Sequence, residues 1–79
     1  MLHHITPAEE RSAVELLSPQ ERRVLRLIAA GQSNTAIALD LVVSVNTVKV
    51  HVKNIYRKLG VASRLEAARA AHDLDILSQ

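Results

Sequence analysis

The chain has 79 residues, of which 48% are hydrophobic and only one, Tyr56, is aromatic. One small domain is the most that this length supports, and such a domain buries only about 60% of the surface of its unfolded chain, so a deep enzyme pocket is not expected. The lack of cysteine excludes a disulfide framework and a thiol nucleophile, and two Gly and two Pro are too few turn formers for an all-β sandwich.

Membrane and secretory segments are not expected either. No apolar run approaches the roughly 18 residues of a membrane span, and the N-terminus lacks the basic region and apolar stretch of a signal peptide. A cysteine-free chain of this kind suits the reducing cytoplasm. The sequence therefore predicts a cytoplasmic protein without a membrane partner.

The net charge of +2 conceals an uneven distribution. Ten Lys and Arg residues face eight Asp and Glu residues over the whole chain. Residues 44–60 hold four of the basic residues and no acidic residue: Lys49, Lys53, Arg57 and Lys58. The positive field of the chain is therefore expected to lie on this one short segment.

Residues 1–17 are predicted to form a linker or a short helical segment, and residues 18–79 the folded domain. Thr6, Pro7 and Glu9 follow the pattern of a helix start, which predicts a short helix over about 7–16. Ser18-Pro19-Gln20-Glu21 repeats this pattern, with a serine cap and a glutamate that can reach back to the cap amide. The first helix of the domain should begin there and end at Gly31.

Three more helices are predicted after Gly31. Ser33 can cap Asn34–Leu41, and Ser44 can cap Val45–Leu59, so the two helices are joined by a short turn at Val42-Val43. This arrangement is that of a helix-turn-helix. A further capping box, Ser63-Arg64-Leu65-Glu66, opens an Ala-rich helix to about residue 77. The predicted fold class is all-α, a small four-helix domain with a central helix-turn-helix and a short N-terminal linker segment.

The third of these helices, Val45–Leu59, has two contrasting faces. A stripe at helical spacing should face the core: Val48, Val52, Ile55 and Leu59. The opposite face carries an amide, a valine and three cations: Asn46, Val50, Lys49, Lys53 and Arg57. A DNA major groove suits such a strip, because lysine meets guanine acceptors, asparagine meets adenine and valine meets a thymine methyl. We predict base reading by Lys49, Val50, Lys53 and Asn46, with an ordinary solvated basic face as the alternative.

A second group of polar residues surrounds this helix and is predicted to contact DNA phosphates: Asn34, Thr35, Thr47, His51, Arg57 and Lys58. Asn34 and Thr35 begin the preceding helix, where free amides and the helix dipole favour an anion. Five of these six residues, all but Thr47, also have a simpler role available. The first two can serve as capping residues, His51 can be a partly exposed spacer, and Arg57 and Lys58 can stabilise the C-terminal end of the helix dipole.

The motifs resemble the LuxR-type helix-turn-helix of quorum-sensing regulators and of NarL/FixJ response regulators. The resemblance covers about residues 18–77 and is carried by several motifs in order: Ser18-Pro19-Gln20-Glu21-Arg22, Gly31-Gln32-Ser33-Asn34, Ile37-Ala38, Ser44, Thr47-Val48-Lys49-Val50-His51 and Lys58-Leu59-Gly60-Val61 with Ser63-Arg64. The segment 47–53 looks most like the NarL branch, in which the positions of Lys49, Val50 and Lys53 read bases. Many members carry a basic residue near Thr35 and a charged or polar residue at Val45, and this chain has neither.

The resemblance implies a dimer that binds DNA through its third helix and pairs through its last helix. The last helix has an apolar stripe that is predicted to form the dimer interface: Ala67, Ala70, Ala71 and Leu74. A second stripe contains Leu65, Ala68 and His72, so which stripe meets the partner is open, and alanine also serves simply to favour the helix. Residues 1–17 look like the linker that follows a receiver domain in this family.

We therefore predict a sequence-specific, double-stranded-DNA-binding transcriptional regulator, acting as a homodimer in the cytoplasm at the nucleoid. RNA polymerase and a receiver domain outside this chain are further candidate partners, and the chain is either an excised effector domain or a stand-alone regulator. The alternative is a helical dimerisation or protein-interaction module whose basic helix is incidental. No enzyme activity, cofactor or metal is expected, because the four His residues do not cluster and no nucleophile turn or phosphate-binding loop is present.

Overall fold

The computed structural model describes residues 16–73, and this part of the chain contains four helices and no strand. We name them α1 (Pro19–Ala29), α2 (Asn34–Leu41), α3 (Val45–Leu59) and α4 (Arg64–Asp73). The predicted all-α, four-helix architecture is confirmed, and α2 and α3 have the predicted bounds. Three predictions concern residues outside this range. They are the short helix over about 7–16, apart from its last residue, the extension of the last helix to about residue 77, and the interface residue Leu74.

The serine caps explain why the helices begin where they do. The Ser18 Oγ accepts from the Glu21 N–H at 3.1 Å, and the Glu21 carboxylate accepts from the Ser18 N–H at 2.8 Å, which completes the predicted capping box. Ser33 and Ser44 cap α2 and α3 in the same way, by accepting from the amide three residues ahead. Gly60 ends α3 with φ of 69°, a left-handed backbone conformation that glycine adopts without strain.

The start of α4 differs in one respect from its predicted capping box. The Ser63 Oγ accepts from the Glu66 N–H at 3.1 Å, as expected. The Glu66 carboxylate, however, accepts from the Ala62 N–H at 2.9 Å, one residue further back than the cap. Ala62 lies before the helix, where its amide has no helical carbonyl partner, so the carboxylate satisfies that donor instead.

One hydrophobic core joins the four helices. Helix α1 packs against α3 and α4, α2 packs against α3, and α3 also contacts α4. The core consists of buried aliphatic side chains from every helix and from one residue before α1: Leu17, Val24, Leu25, Ile28, Ile37, Ala38, Val48, Val52, Ile55, Ala67 and Ala71. The core is aliphatic, and Tyr56 packs at its edge. Burial of this shared core holds α3 in a fixed orientation.

No single helix in the described part of the chain is long and apolar enough to cross a membrane. The α2 and α3 pair passes the same test of length and composition when taken together, although the two helices are bent by 108° at their junction.

Candidate nucleic-acid interface

The corner between α2 and α3 fixes the angle at which α3 is presented. The two helices meet at 108° across a connection of three residues, which is the geometry of a helix-turn-helix. Val42 turns the chain with φ of 56° and ψ of 50°, and the Val43 N–H donates to the Ala38 carbonyl at 3.0 Å. A left-handed valine is strained by its Cβ, and with 88% of its surface exposed Val42 gains almost nothing from burial there.

Helix α3 turns one face to the core and the other to solvent. Val48, Val52 and Ile55 are buried, and Leu59 packs at the edge of the core, as predicted. The residues predicted to form the opposite face are all exposed: Asn46, Lys49, Val50, Lys53 and Arg57. Val50 is 58% exposed in the middle of three cations. The geometry therefore leaves a basic strip with one apolar contact point along the free side of α3, which we call the α3 face.

Acidic residues are distributed unevenly among the helix starts. Helices α1 and α4 each carry a glutamate in the first turn, whereas α2 and α3 carry no acidic residue there. A glutamate at a helix start occupies the positive end of the dipole, so its absence leaves that end available to an external anion. The two helices of the helix-turn-helix are thus the two that lack a built-in anion.

The residues predicted to contact phosphates have different surroundings. Thr35 is exposed at the start of α2, and His51 is half-buried on α3. The Thr47 hydroxyl lies 2.9 Å from the Ser44 Oγ at the start of α3. Arg57 is exposed, and its guanidinium donates to the side-chain oxygen of Asn54, an uncharged partner, at 3.2 Å.

Lys58 differs from the other cations because it is paired within the domain. Its Nζ lies 2.7 Å from the Glu21 carboxylate, whose side chain is only 5% exposed. Burial by itself raises the pKa of Glu21, but the hydrogen bond from Lys58, the Ser18 N–H and the charge of Lys58 outweigh it and hold that pKa below its ordinary value. The pair joins the start of α1 to the end of α3, so three of the four cations of α3, those of the α3 face, form no ion pair within residues 16–73.

The fold and the basic strip agree with the comparison to known families. Residues 15–71 match the family described as "Bacterial regulatory proteins, luxR family". The chain belongs to the luxR family of bacterial regulatory proteins. The resemblance inferred from the motifs is thereby confirmed. This luxR-family chain carries a helix-turn-helix domain of DNA-binding transcription regulators, which are not a class of enzymes.

Two relatives show how this luxR-family domain relates to longer proteins. It is 48% identical over 58 residues to the HTH-type transcriptional regulator MalT of Serratia proteamaculans (strain 568). This match covers 73% of the present chain and 6% of MalT. The domain is 52% identical over 56 residues to the probable transcriptional regulatory protein NarL of Mycobacterium tuberculosis (strain ATCC 25618 / H37Rv). That match covers 71% of the present chain and 26% of NarL. The chain thus spans about a quarter or less of these relatives. No solved structure matches it.

The last helix of this luxR-family domain turns two residues of the predicted dimer stripe, Ala67 and Ala71, toward its own core. Ala67 and Ala71 are fully buried and Ala70 is half-buried. Residues without exposed surface are not available to a second subunit, so the assignment of Ala67 and Ala71 to the interface was wrong. The second stripe holds the accessible apolar surface, with Leu65 64% exposed, Ala68 half-buried and His72 exposed.

One functional candidate was not singled out from the sequence. Arg64, the first residue of α4, donates from Nη1 to the Asn34 side-chain oxygen at 2.9 Å and from Nη2 to the Gln32 carbonyl at 2.5 Å. From the sequence, Arg64 belongs to a capping motif and to the motifs of the family resemblance, without a role of its own. Its one signal is that a cation at a helix start opposes the favourable arrangement of charge and dipole.

Proposed function

We propose that this domain binds double-stranded DNA with sequence specificity and that α3 enters the major groove. The observation that carries the proposal is the α3 face, which is exposed, has no acidic residue and contains three cations that form no ion pair within the described part of the chain. A surface helix kept only for solubility commonly mixes both signs of charge. A helix of 15 residues whose other side is anchored in a core has the dimensions and rigidity that a major groove accepts.

The chemistry of the α3 face suggests a role for each base-reading residue. Lys49 and Lys53 supply donors for guanine O6 and N7, and Asn46 can both donate to and accept from adenine. Val50 offers two methyl groups to the 5-methyl of a thymine. These assignments for Lys49, Val50, Lys53 and Asn46 are supported by their shared exposure on one side of α3.

Phosphate contacts are proposed on both sides of that strip. Three candidates lie at helix starts, near free backbone amides: Asn34 and Thr35 on α2 and Thr47 on α3. A fourth candidate, His51, lies among the cations of α3. Arg57 adds an unpaired charge. Lys58 is kept as a weaker candidate, because its charge is already partly neutralised by Glu21.

We further propose that two copies bind together through the exposed stripe of α4. Leu65 and Ala68 supply the apolar surface of that stripe, and the half-buried Ala70 lies at its edge. Symmetric dimers read two-fold-related half-sites, so a palindromic operator is expected. Leu65→Glu should abolish cooperative binding to the two half-sites without unfolding the domain. If cooperativity survives in gel-shift titrations, α4 is not the pairing surface.

The likeness to NarL suggests the biological setting. We propose that the domain is the effector part of a response regulator in a two-component system, with a receiver domain and RNA polymerase as partners of the complete regulator. Its target DNA places it at the nucleoid in the bacterial cytoplasm. Co-purification of the full regulator with RNA polymerase on a promoter fragment would test that partner.

The experiment that tests DNA reading separates base contacts from charge. An operator is first selected from a random duplex pool, and affinities for that operator and for a scrambled duplex are then measured by fluorescence anisotropy. Lys49→Ala and Lys53→Ala should each weaken operator binding by about 1–3 kcal/mol. Each should also reduce the difference in affinity between the operator and the scrambled duplex. Arg23→Ala is the matched control, since it removes an exposed cation from α1.

The outcomes distinguish the functions. Equal losses on both duplexes would remove Lys49 and Lys53 from base reading and leave them as phosphate contacts. Failure of the unmodified domain to bind any duplex, together with capture of a protein partner, would favour the protein-interaction module. The salt dependence gives a further check, because each phosphate that a cation such as Arg57 neutralises should add about −0.9 to the log–log slope of affinity against salt.

A further inference from the structure

The last helix reaches across the domain to the start of α2 through one side chain. Arg64 donates to the side-chain oxygen of Asn34, 30 residues earlier, and to the carbonyl of Gln32, 32 residues earlier. Gln32 and Asn34 flank Ser33, the cap of α2. The two-pronged guanidinium therefore fixes both sides of the α2 cap with respect to α4.

This hydrogen bond decides which way the Asn34 amide is turned. A guanidinium has only donors, so the atom that faces it must be the oxygen of Asn34 and not the nitrogen. The NH2 group of Asn34 consequently points away from Arg64, and it makes none of the side-chain hydrogen bonds found among residues 16–73. Because phosphate oxygens only accept hydrogen bonds, an NH2 group held outward is the orientation that suits a DNA backbone.

The charge of Arg64 is not neutralised by its partners. Both acceptors are uncharged, and neither of the two ion pairs in the described part of the chain includes Arg64. A full positive charge thus lies beside the positive end of the α2 dipole, where no acidic side chain offsets it. This arrangement is unfavourable in the free domain and becomes favourable when an anion approaches.

We propose that Arg64 is a positioning residue for DNA binding that acts through Asn34. It holds the Asn34 amide with its NH2 group outward and keeps a positive charge next to the phosphate that Asn34 meets. The inference rests on the proposed function and adds a residue of α4 to a surface otherwise built from α2 and α3. It also means that the helix proposed for pairing is hydrogen-bonded to the helix proposed for backbone binding.

The test is a double-mutant cycle on operator binding with Arg64→Ala, Asn34→Ala and the double variant. Each single variant should weaken binding about three- to tenfold, and the double variant should bind no more weakly than the weaker of the two singles. Arg64→Lys keeps the charge but not the two-pronged geometry, so it should retain the salt dependence of the unmodified domain while recovering only part of the affinity. Far-UV circular dichroism at the binding temperature shows that each variant is folded.

The result that would overturn the inference is distinct from failure of the proposed function. If the losses from Arg64→Ala and Asn34→Ala multiply, or if Arg64→Lys binds as tightly as the unmodified domain, Arg64 does not act through Asn34. If Arg64→Ala unfolds the domain, Asn34→Asp gives a second test. The added carboxylate would pair with Arg64 and repel phosphate, so binding should fall while the melting temperature holds or rises. If neither the unmodified domain nor any of the variants binds the selected operator, the proposed DNA-binding function itself is refuted.

Discussion

Replacing Lys58 with methionine isolates the ion pair that ties α1 to α3. Methionine keeps an unbranched apolar stem but removes the ammonium that lies 2.7 Å from the Glu21 carboxylate. Glu21 stays buried and keeps its hydrogen bond from the Ser18 N–H. The variant therefore leaves a buried carboxylate without the partner that most lowers its pKa.

The magnitude follows from the distance and the exposure. At 2.7 Å the Coulomb attraction is about 1.5 kcal/mol at the dielectric constant of water and about 6 kcal/mol at an effective value of 20. Lys58 is 31% exposed, so solvent screens it and part of the attraction offsets the cost of burial. We expect Lys58→Met to lower the free energy of unfolding by about 2 kcal/mol at pH 7.

The pH dependence has a definite sign. The pKa of Glu21 is lower in the folded domain than in the unfolded chain, so its stabilising contribution is present above the unfolded value of about 4.3. That contribution is lost as the pH falls through the lower folded value. Lys58→Met removes the largest of the causes that lower this pKa, while the hydrogen bonds with Ser18 remain. The stability gap between the two proteins should therefore be widest near neutral pH and should narrow as the pH falls below about 4.3.

The assay is urea denaturation followed by far-UV circular dichroism at several pH values. Arg23→Met is the matched control, because the Arg23 and Asp40 pair is longer, at 3.3 Å, and about half exposed on both sides. Loss of such a pair should cost less than about 1 kcal/mol. If Lys58→Met costs no more than Arg23→Met, or if its deficit does not shrink in acid, the buried pair does not stabilise the junction of α1 and α3.

Two further substitutions test the backbone and the core. Val42→Asn should raise the free energy of unfolding by up to about 1 kcal/mol, because asparagine tolerates the left-handed conformation and removal of the exposed valine costs no packing. The change is measured by thermal melting. An unchanged melting temperature would show that the backbone of Val42, with φ of 56°, is unstrained. Ala71→Leu should lower the free energy of unfolding by about 1–3 kcal/mol, because it overpacks a site with no exposed surface. Ala68→Leu, at a half-buried position, should change the free energy of unfolding by less than about 0.5 kcal/mol. Equal urea midpoints for these two variants would contradict the orientation of α4.

The features that could be read from the sequence are those set by local interactions. Ser18 and Glu21 are three residues apart, and Gly60 ends α3 through its own backbone freedom, so the helix bounds are encoded nearby. The two faces of α3 also follow from spacing alone, because β-branched residues and cations repeat on opposite sides.

The features that could not be read depend on which helix lies against which. Two apolar stripes on α4 looked equally suited to the core, and only packing against α1 decides that Ala67 and Ala71 are inside. The Lys58 pair spans 37 residues. The Arg64 bonds also cross the domain, and neither interaction leaves a periodic pattern in the sequence.

The central claim is that the α3 face lies in the major groove, and Val50 is the most direct probe of it. The domain is small enough for isotope-filtered nuclear Overhauser spectroscopy on its complex with the selected operator. The Val50 methyl groups, on a side chain 58% exposed in the free domain, should show contacts to major-groove protons such as a thymine 5-methyl or a cytosine H5. Contacts only to minor-groove sugar protons, or no contact from Val50 to DNA in a saturated complex, would contradict the claim.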